Sequence, residues 1–156
     1  QPVDLNIAID DEPSNIPFGV LFIDGGQVAN TYIANYDAQL QIIINALSAH
    51  GVTVKKHPTH GISNVLESYM YANEFSQMNS NWPIEFIDLS KYRAVVSIDS
   101  KGLAEARHSN VISVQNLFEY KFESNKTMVY QYINDAREDR APIKFVCSVE
   151  ELIRSV

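Results

Sequence analysis

Runs of apolar residues predict the β-strands of this chain. The clearest runs span residues 19–23 and 94–98, and neither alternates with polar side chains. Apolar runs without such alternation are typical of strands that are buried on both faces in a parallel sheet. Shorter apolar or β-branched runs at residues 52–56, 111–114 and 143–147 predict three further strands.

Apolar residues at helical spacing predict helices between these strands. From Asp37 to His50 they recur at intervals of three and four, and Gly51 provides the left-handed stop. Residues 103–107 and 125–137 predict two more helices. Each of these segments connects one predicted strand to the next, as in a parallel sheet with helical crossovers.

Two pairs of residues have the spacing of a helix capping box. Asn64 precedes Glu67 by three residues, and Ser148 precedes Glu151 by three, so helices are expected to start at both places. The polar segment 76–82 predicts a loop.

The alternation of strands and helices predicts a Rossmann-like α/β fold. We expect about five parallel strands with helices on both faces of the sheet. Residues 1–17 are acidic and contain three prolines, which predicts a leader or linker. Residues 18–156 are expected to form a single domain, since a chain of 156 residues fits one ordinary domain.

Charge and cysteine content narrow the functional classes. The chain has 12 Lys and Arg against 19 Asp and Glu, a formal charge of −7, which disfavours a nucleic-acid partner. Its single cysteine, Cys147, excludes a disulfide framework, and its apolar surroundings favour a small core residue. No apolar run is long enough to span a bilayer. We expect a cytoplasmic protein, with the inner face of a bacterial membrane as an alternative location.

The segment Lys55–Gly61 is the first candidate for chemistry. It follows the second predicted strand and contains two lysines, His57, Pro58 and His60. Imidazole and ammonium groups both donate hydrogen bonds to phosphate oxygens. The same composition also fits a solvated basic loop, and without cysteines or a set of carboxylates it predicts no metal site.

Two further candidates follow or precede buried strands. Ser100 and Lys101 follow the 94–98 strand at the start of a helix, where backbone N–H groups favour an anion, although Ser100 is equally a preferred N-cap. Glu85, in the sequence Pro-Ile-Glu, could contact a ribose or a base, or be an ordinary exposed glutamate. The segment Asp24-Gly25-Gly26 matches neither a dinucleotide fingerprint nor a P-loop and predicts a turn.

The order of these motifs resembles that of a known family. A strand leading to His57-Pro58, then Pro83-x-Glu85, then a strand leading to Ser100, is similar to the C-terminal, donor-nucleotide half of GT-B glycosyltransferases. The bacterial sialyltransferase and polysialyltransferase-like families are the nearest in pattern. The resemblance spans residues 18–107, and Lys101 stands where those families often have a second serine.

The resemblance implies a function for the chain as part of a larger enzyme. It implies that His57 is the catalytic residue at the nucleotide phosphate, and that Pro58, Glu85, Ser100 and Lys101 complete a site for a CMP-activated sugar, with no metal or other cofactor. It also implies an N-terminal acceptor-binding domain that supplies the general base, so this chain alone would bind weakly and catalyse nothing. The alternative is a non-catalytic α/β module for regulation or protein interaction.

The direction of the strands predicts where these residues should lie if the hypothesis is right. The carboxyl ends of parallel strands share one edge of the sheet, so His57, Glu85 and Ser100 should converge there. A cleft that faces a second domain should also carry an apolar or aromatic rim, for which Trp82 and Phe86 are the candidates.

Overall fold

One parallel sheet organises the protein in its computed structural model, which describes residues 19–72, 74–78, 82–137 and 140–156. Its strands are β1 (Val20–Ile23), β2 (Val52–Lys55), β3 (Ser76–Gln77), β4 (Ala94–Ser97), β5 (Val111–Ser113) and β6 (Lys144–Phe145). They lie in the order β3-β2-β1-β4-β5-β6, and every neighbouring pair is parallel. The predicted Rossmann-like α/β fold is confirmed, with six strands in the described residues rather than about five. The predicted leader, residues 1–17, lies outside the described residues.

Helices connect the strands along both faces of the sheet. They are α1 (Tyr36–Leu47), α2 (Asn64–Tyr71), α3 (Lys101–Glu105), α4 (Glu123–Arg137) and α5 (Val149–Ser155). Short 3₁₀ turns lie at Gln27–Thr31, Ser48–His50, Ile84–Phe86 and Gln115–Leu117. Within the part of the chain that the structure describes, no helix has both the length and the apolar character needed to cross a membrane.

Strand β1 shows why the sheet is covered on both faces. Val20 and Phe22 pack into one hydrophobic cluster, whereas Leu21 and Ile23 pack into another. Helices α1, α2 and α5 contribute to the first cluster, and α3 and α4 contribute to the second. Each large apolar side chain that is fully buried in this way stabilises the fold by about 1.5–3 kcal/mol relative to an exposed one.

The strand order creates a crevice between β1 and β4. The connection from β1 runs through α1 on one face, and the connection from β4 runs through α3 on the other. Two neighbouring strands whose connections diverge leave an opening beyond their carboxyl ends, which is where open α/β sheets bind ligands. Asp24 follows β1 at this opening, and Asp99 and Ser100 follow β4.

Strand β3 departs from the prediction of a loop at residues 76–82. It has only two residues, which pair with Thr53 and Val54 of β2 at the edge of the sheet. Backbone hydrogen bonds define this strand, and the N–H of Met78 extends them by donating to the carbonyl of Val54 at 2.8 Å. Because backbone bonds to β2 hold β3 and it contains no apolar run, its sequence has no strand pattern.

The local predictions at the helix ends have mixed outcomes. The Ser148 hydroxyl accepts the N–H of Glu151 at 3.1 Å, so the predicted N-cap of α5 is confirmed. The capping box at Asn64 is wrong, because Ser63 is the N-cap of α2 and its hydroxyl bonds elsewhere. Cys147 is exposed rather than a core residue, because β6 ends at Phe145.

Candidate functional site

A cleft of about 410 Å³ lies beyond the carboxyl ends of β1, β2 and β4, and we call it the switch-point cleft. Its walls come from the segments that follow these three strands and from the segment before the Ile84–Phe86 turn. They include the side chains of Lys55, Lys56, His57, Pro58, Trp82 and Ser100. The volume lies within the roughly 300–1,000 Å³ that is usual for small-molecule sites.

The structure brings together some of the predicted site residues. His57, Pro58 and Ser100 line the switch-point cleft, so the expected convergence of His57 and Ser100 on one sheet edge is confirmed. Trp82 stands at the predicted aromatic rim with 55% of its surface exposed. The Phe86 ring lies edge-on to it, with 6.4 Å between the ring centroids.

Glu85 and Lys101 are placed differently from the other predicted residues. Neither is among the residues that line the switch-point cleft. Glu85 is half-buried within the Ile84–Phe86 turn, and the ammonium of Lys101 pairs with the Glu105 carboxylate at 3.3 Å. This pairing raises the pKa of Lys101. A nucleotide contact by either residue therefore stays a prediction.

The imidazole of His57 has a defined tautomer. Its Nδ1 accepts the backbone N–H groups of Thr59 and His60, each at 3.0 Å, which leaves the ring proton on Nε2. Partial burial, the neighbouring His60 ring at 4.3 Å and Lys55 together lower the pKa of His57, and the nearby Asp24 opposes them. His57 is therefore a neutral hydrogen-bond donor at pH 7 rather than a cation.

Positive charge at the cleft comes from Lys55 and Lys56. Lys55 ends β2 and pairs in register with Ile23 of β1, and Lys56 follows it with an exposed side chain. An ammonium group on a flexible stem can approach an anion that enters the cleft. The lysines therefore provide the positive charge, because the lowered pKa of His57 favours its neutral form.

Asp24 holds the loop that carries His57 against the end of β1. Its side chain is buried, and its oxygens accept the N–H of Gly26 at 3.1 Å and both the N–H and the hydroxyl of Ser63 at 2.6 Å. The Tyr36 hydroxyl contacts the Ser63 hydroxyl. Burial, and to a smaller extent the negative charge of Asp24, raises the pKa of Tyr36. The sequence showed only a turn here, because the partner Ser63 lies 39 residues away.

Gly26 lets the same loop approach β1 closely. Its φ is +84°, and a Cβ at this position would lie 2.8 Å from the Cβ and the carbonyl oxygen of His60. Residues with a side chain rarely adopt such a φ, and moving the backbone of His60 aside would cost free energy. The glycine therefore positions the 57–61 loop beside the cleft.

Ser100 is an N-cap, as the simpler interpretation of its position predicted. Its hydroxyl oxygen accepts the N–H of Gly102 at 3.1 Å, and α3 has only five residues. That N–H is thereby occupied, and a helix this short adds little dipole. What Ser100 offers a ligand is the hydrogen of its own hydroxyl.

Among the described residues, no group of three or more histidine, cysteine and carboxylate side chains could hold a metal ion. The chain matches no protein-family model, no curated protein and no solved structure. The fold and the switch-point cleft are therefore the features that bear on function.

Proposed function

We propose that this protein binds the nucleotide of a CMP-activated sugar, as the donor-binding domain of a sialyltransferase-like GT-B glycosyltransferase. The single observation that carries the proposal is the convergence of His57, Pro58 and Ser100 on the switch-point cleft. These residues are separated by up to 43 positions in the sequence, and they belong to two of the three motifs on which the family resemblance rests.

Four polar residues of the cleft suit a phosphate, and its two carboxylates, Asp24 and Glu105, are bonded to Ser63 and Lys101. The Nε2–H of His57 and the hydroxyl of Ser100 can donate hydrogen bonds, and Lys55 and Lys56 supply charge. A hydrogen bond to a charged partner contributes about 1.5–3 kcal/mol. Two or three such bonds would support binding in the micromolar to millimolar range after ordering costs.

The aromatic rim of the cleft suits a nucleobase. Trp82 exposes more than half of its surface beside Pro83 at the rim of the cleft. A flat aromatic side chain of this kind can stack on a base, which is worth about 1–3 kcal/mol in sites that bind single bases. We infer that the cytosine lies towards Trp82 and the phosphate towards His57.

In the transfer step, this chain acts only on the leaving group. The bond between the sugar and the phosphate oxygen breaks, and the oxygen keeps the electron pair as CMP leaves. The lysines and the His57 Nε2–H stabilise this developing charge. The acceptor oxygen forms the new bond to the sugar, and its proton passes to a base in the other domain of the transferase.

Calorimetric titration of the protein with CMP tests the proposal. We expect His57→Ala to weaken CMP binding by about tenfold or more, because one hydrogen bond to phosphate is lost. His60→Ala should weaken it less, since His60 does not line the cleft. Lys56→Ala should also weaken binding, whereas Lys126→Ala, the same charge change on α4, should not.

Three results would contradict the proposal to different degrees. If the protein binds no cytidine nucleotide, or if folded His57→Ala binds CMP as tightly as the wild type, the CMP-sugar function is wrong. The non-catalytic interaction module then becomes the better hypothesis. Preferential binding of UDP or GDP would keep a GT-B assignment and remove the sialyltransferase one.

A further inference from the structure

A second cleft lies beside the switch-point cleft at the carboxyl end of β4. It measures about 310 Å³ and is lined by Tyr32, Asp99, Asn125, Met128 and Val129, and we call it the Asp99 cleft. Tyr32 follows the 3₁₀ turn after β1, and the last three residues belong to α4. The cleft thus draws on both strands that border the crevice.

The carboxyl group of Asp99 is held by phenols. The Tyr120 hydroxyl donates to its Oδ2 at 3.2 Å, the Tyr32 hydroxyl bonds to the same carboxyl group, and the two rings lie 6.0 Å apart. Burial raises the pKa of Asp99. No ion pair to Asp99 is found among the described residues. Burying a carboxylate without a cation is costly, and such groups are concentrated at functional sites.

The two kinds of side chain in the Asp99 cleft match the two surfaces of a sugar. The Asp99 carboxyl, the Asn125 amide and the Tyr32 phenol can exchange hydrogen bonds with hydroxyl groups. Met128 and Val129 present apolar atoms that can cover the C–H face of a sugar ring. The volume is at the lower end of the roughly 300–1,000 Å³ of small-molecule sites, enough for one compact group.

The position of Asp99 relates this cleft to the nucleotide. Asp99 and Ser100 are consecutive, so their Cα atoms lie about 3.8 Å apart, yet Asp99 lines one cleft and Ser100 the other. In a nucleotide sugar the sugar is bonded directly to the phosphate. A phosphate near Ser100 therefore brings its sugar within reach of Asp99.

We propose that the Asp99 cleft binds the glycosyl group of the nucleotide sugar whose phosphate occupies the switch-point cleft. This inference rests on the proposed function. It assigns Asp99 and Asn125 as sugar-binding residues, and it makes the donor a ligand that crosses the end of β4.

Paired titrations with CMP and CMP-sialic acid test the assignment. We expect the wild type to bind CMP-sialic acid more tightly than CMP. Asp99→Asn should remove most of that difference, about tenfold for one lost hydrogen bond, while CMP affinity stays unchanged. Asn125→Ala should reduce the difference in the same direction. Asn116→Ala, the same change in a residue outside the Asp99 cleft, should leave it intact.

The outcomes separate this inference from the proposed function. Unchanged CMP affinity in each variant shows that the switch-point cleft is folded. If the wild type binds CMP and CMP-sialic acid equally, or if Asp99→Asn and Asn125→Ala both keep the wild-type ratio of affinities, the sugar assignment is wrong and the CMP function stands. If the wild type binds neither compound, both are wrong.

Discussion

Replacing Asp24 by asparagine is expected to destabilise the protein and to loosen the loop that carries His57. The substitution keeps the size of the side chain and removes its charge. Asp24 offers two acceptor oxygens, of which Oδ1 takes the N–H of Gly26 and the hydroxyl of Ser63, and Oδ2 takes the N–H of Ser63. An amide has only one oxygen, so one of these two positions becomes an N–H₂ group that faces a donor.

The size of the effect follows from burial. Asp24 is 1% exposed, so water cannot replace the lost acceptor. A hydrogen bond to a charged group contributes about 1.5–3 kcal/mol, and an unpaired buried donor costs about 1–3 kcal/mol. We therefore expect the free energy of unfolding to fall by about 3 kcal/mol. At about 2–4 °C per kcal/mol for a chain of this size, the melting temperature should fall by roughly 6–12 °C.

Urea unfolding followed by circular dichroism measures this loss, and Asp37→Asn provides the matched control. Asp37 is exposed and accepts one side-chain hydrogen bond, from Gln27 at 3.1 Å, so its replacement should cost less than about 1 kcal/mol. A free energy of unfolding for Asp24→Asn within about 1 kcal/mol of the wild-type value, or no lower than that of Asp37→Asn, would refute this role of Asp24. CMP affinity should fall in Asp24→Asn even where the protein remains folded.

Two further predictions concern the same loop. Gly26→Ala should lower the free energy of unfolding by about 1–3 kcal/mol, and the melting temperature with it, because the new Cβ would clash with His60 and the φ is positive. Gly25→Ala should have little effect, because a Cβ there would have no atom within 4 Å. Equal melting temperatures for the two variants would contradict the close approach. The lowered pKa of His57 means that the folded state binds fewer protons than the unfolded state, so stability should rise with pH from that lowered pKa up to the ordinary 6.5. NMR titration should place the His57 pKa below 6.5, and His57→Gln should flatten the pH dependence of the melting temperature; a pKa above 6.5 would show that the sign is wrong.

The fold could be predicted from sequence because its determinants are local. The apolar runs of β1 and β4 and the helical spacing in α1 are each visible within about a dozen residues. Strand β3 could not be predicted, since its two residues join the sheet through backbone bonds to β2. The cap at Ser63 was missed for a related reason, because its hydroxyl is directed to a partner that is distant in sequence.

Only those residues of the candidate site that follow parallel strands could be placed from the sequence. His57 and Ser100 follow parallel strands, so their placement at one edge follows from the fold. Glu85 lies in the Ile84–Phe86 turn before β4 rather than directly after a strand, so no such rule fixes its position. Lys101 is held by Glu105 one helical turn away. The tautomer of His57 depends on N–H groups of its own loop, a conformation that composition does not reveal.

The switch-point cleft is assembled from segments that begin near residues 23, 55, 82 and 100. None of these segments forms part of the cleft until β1, β2 and β4 have paired, so an unfolded chain has no competing binding site. A ligand of this cleft must then stabilise the whole domain by mass action, by about 2.7 kcal/mol at a concentration one hundred times its Kd. Binding and folding of this protein are thus a single coupled equilibrium, and thermal stability itself reports which ligands the cleft accepts.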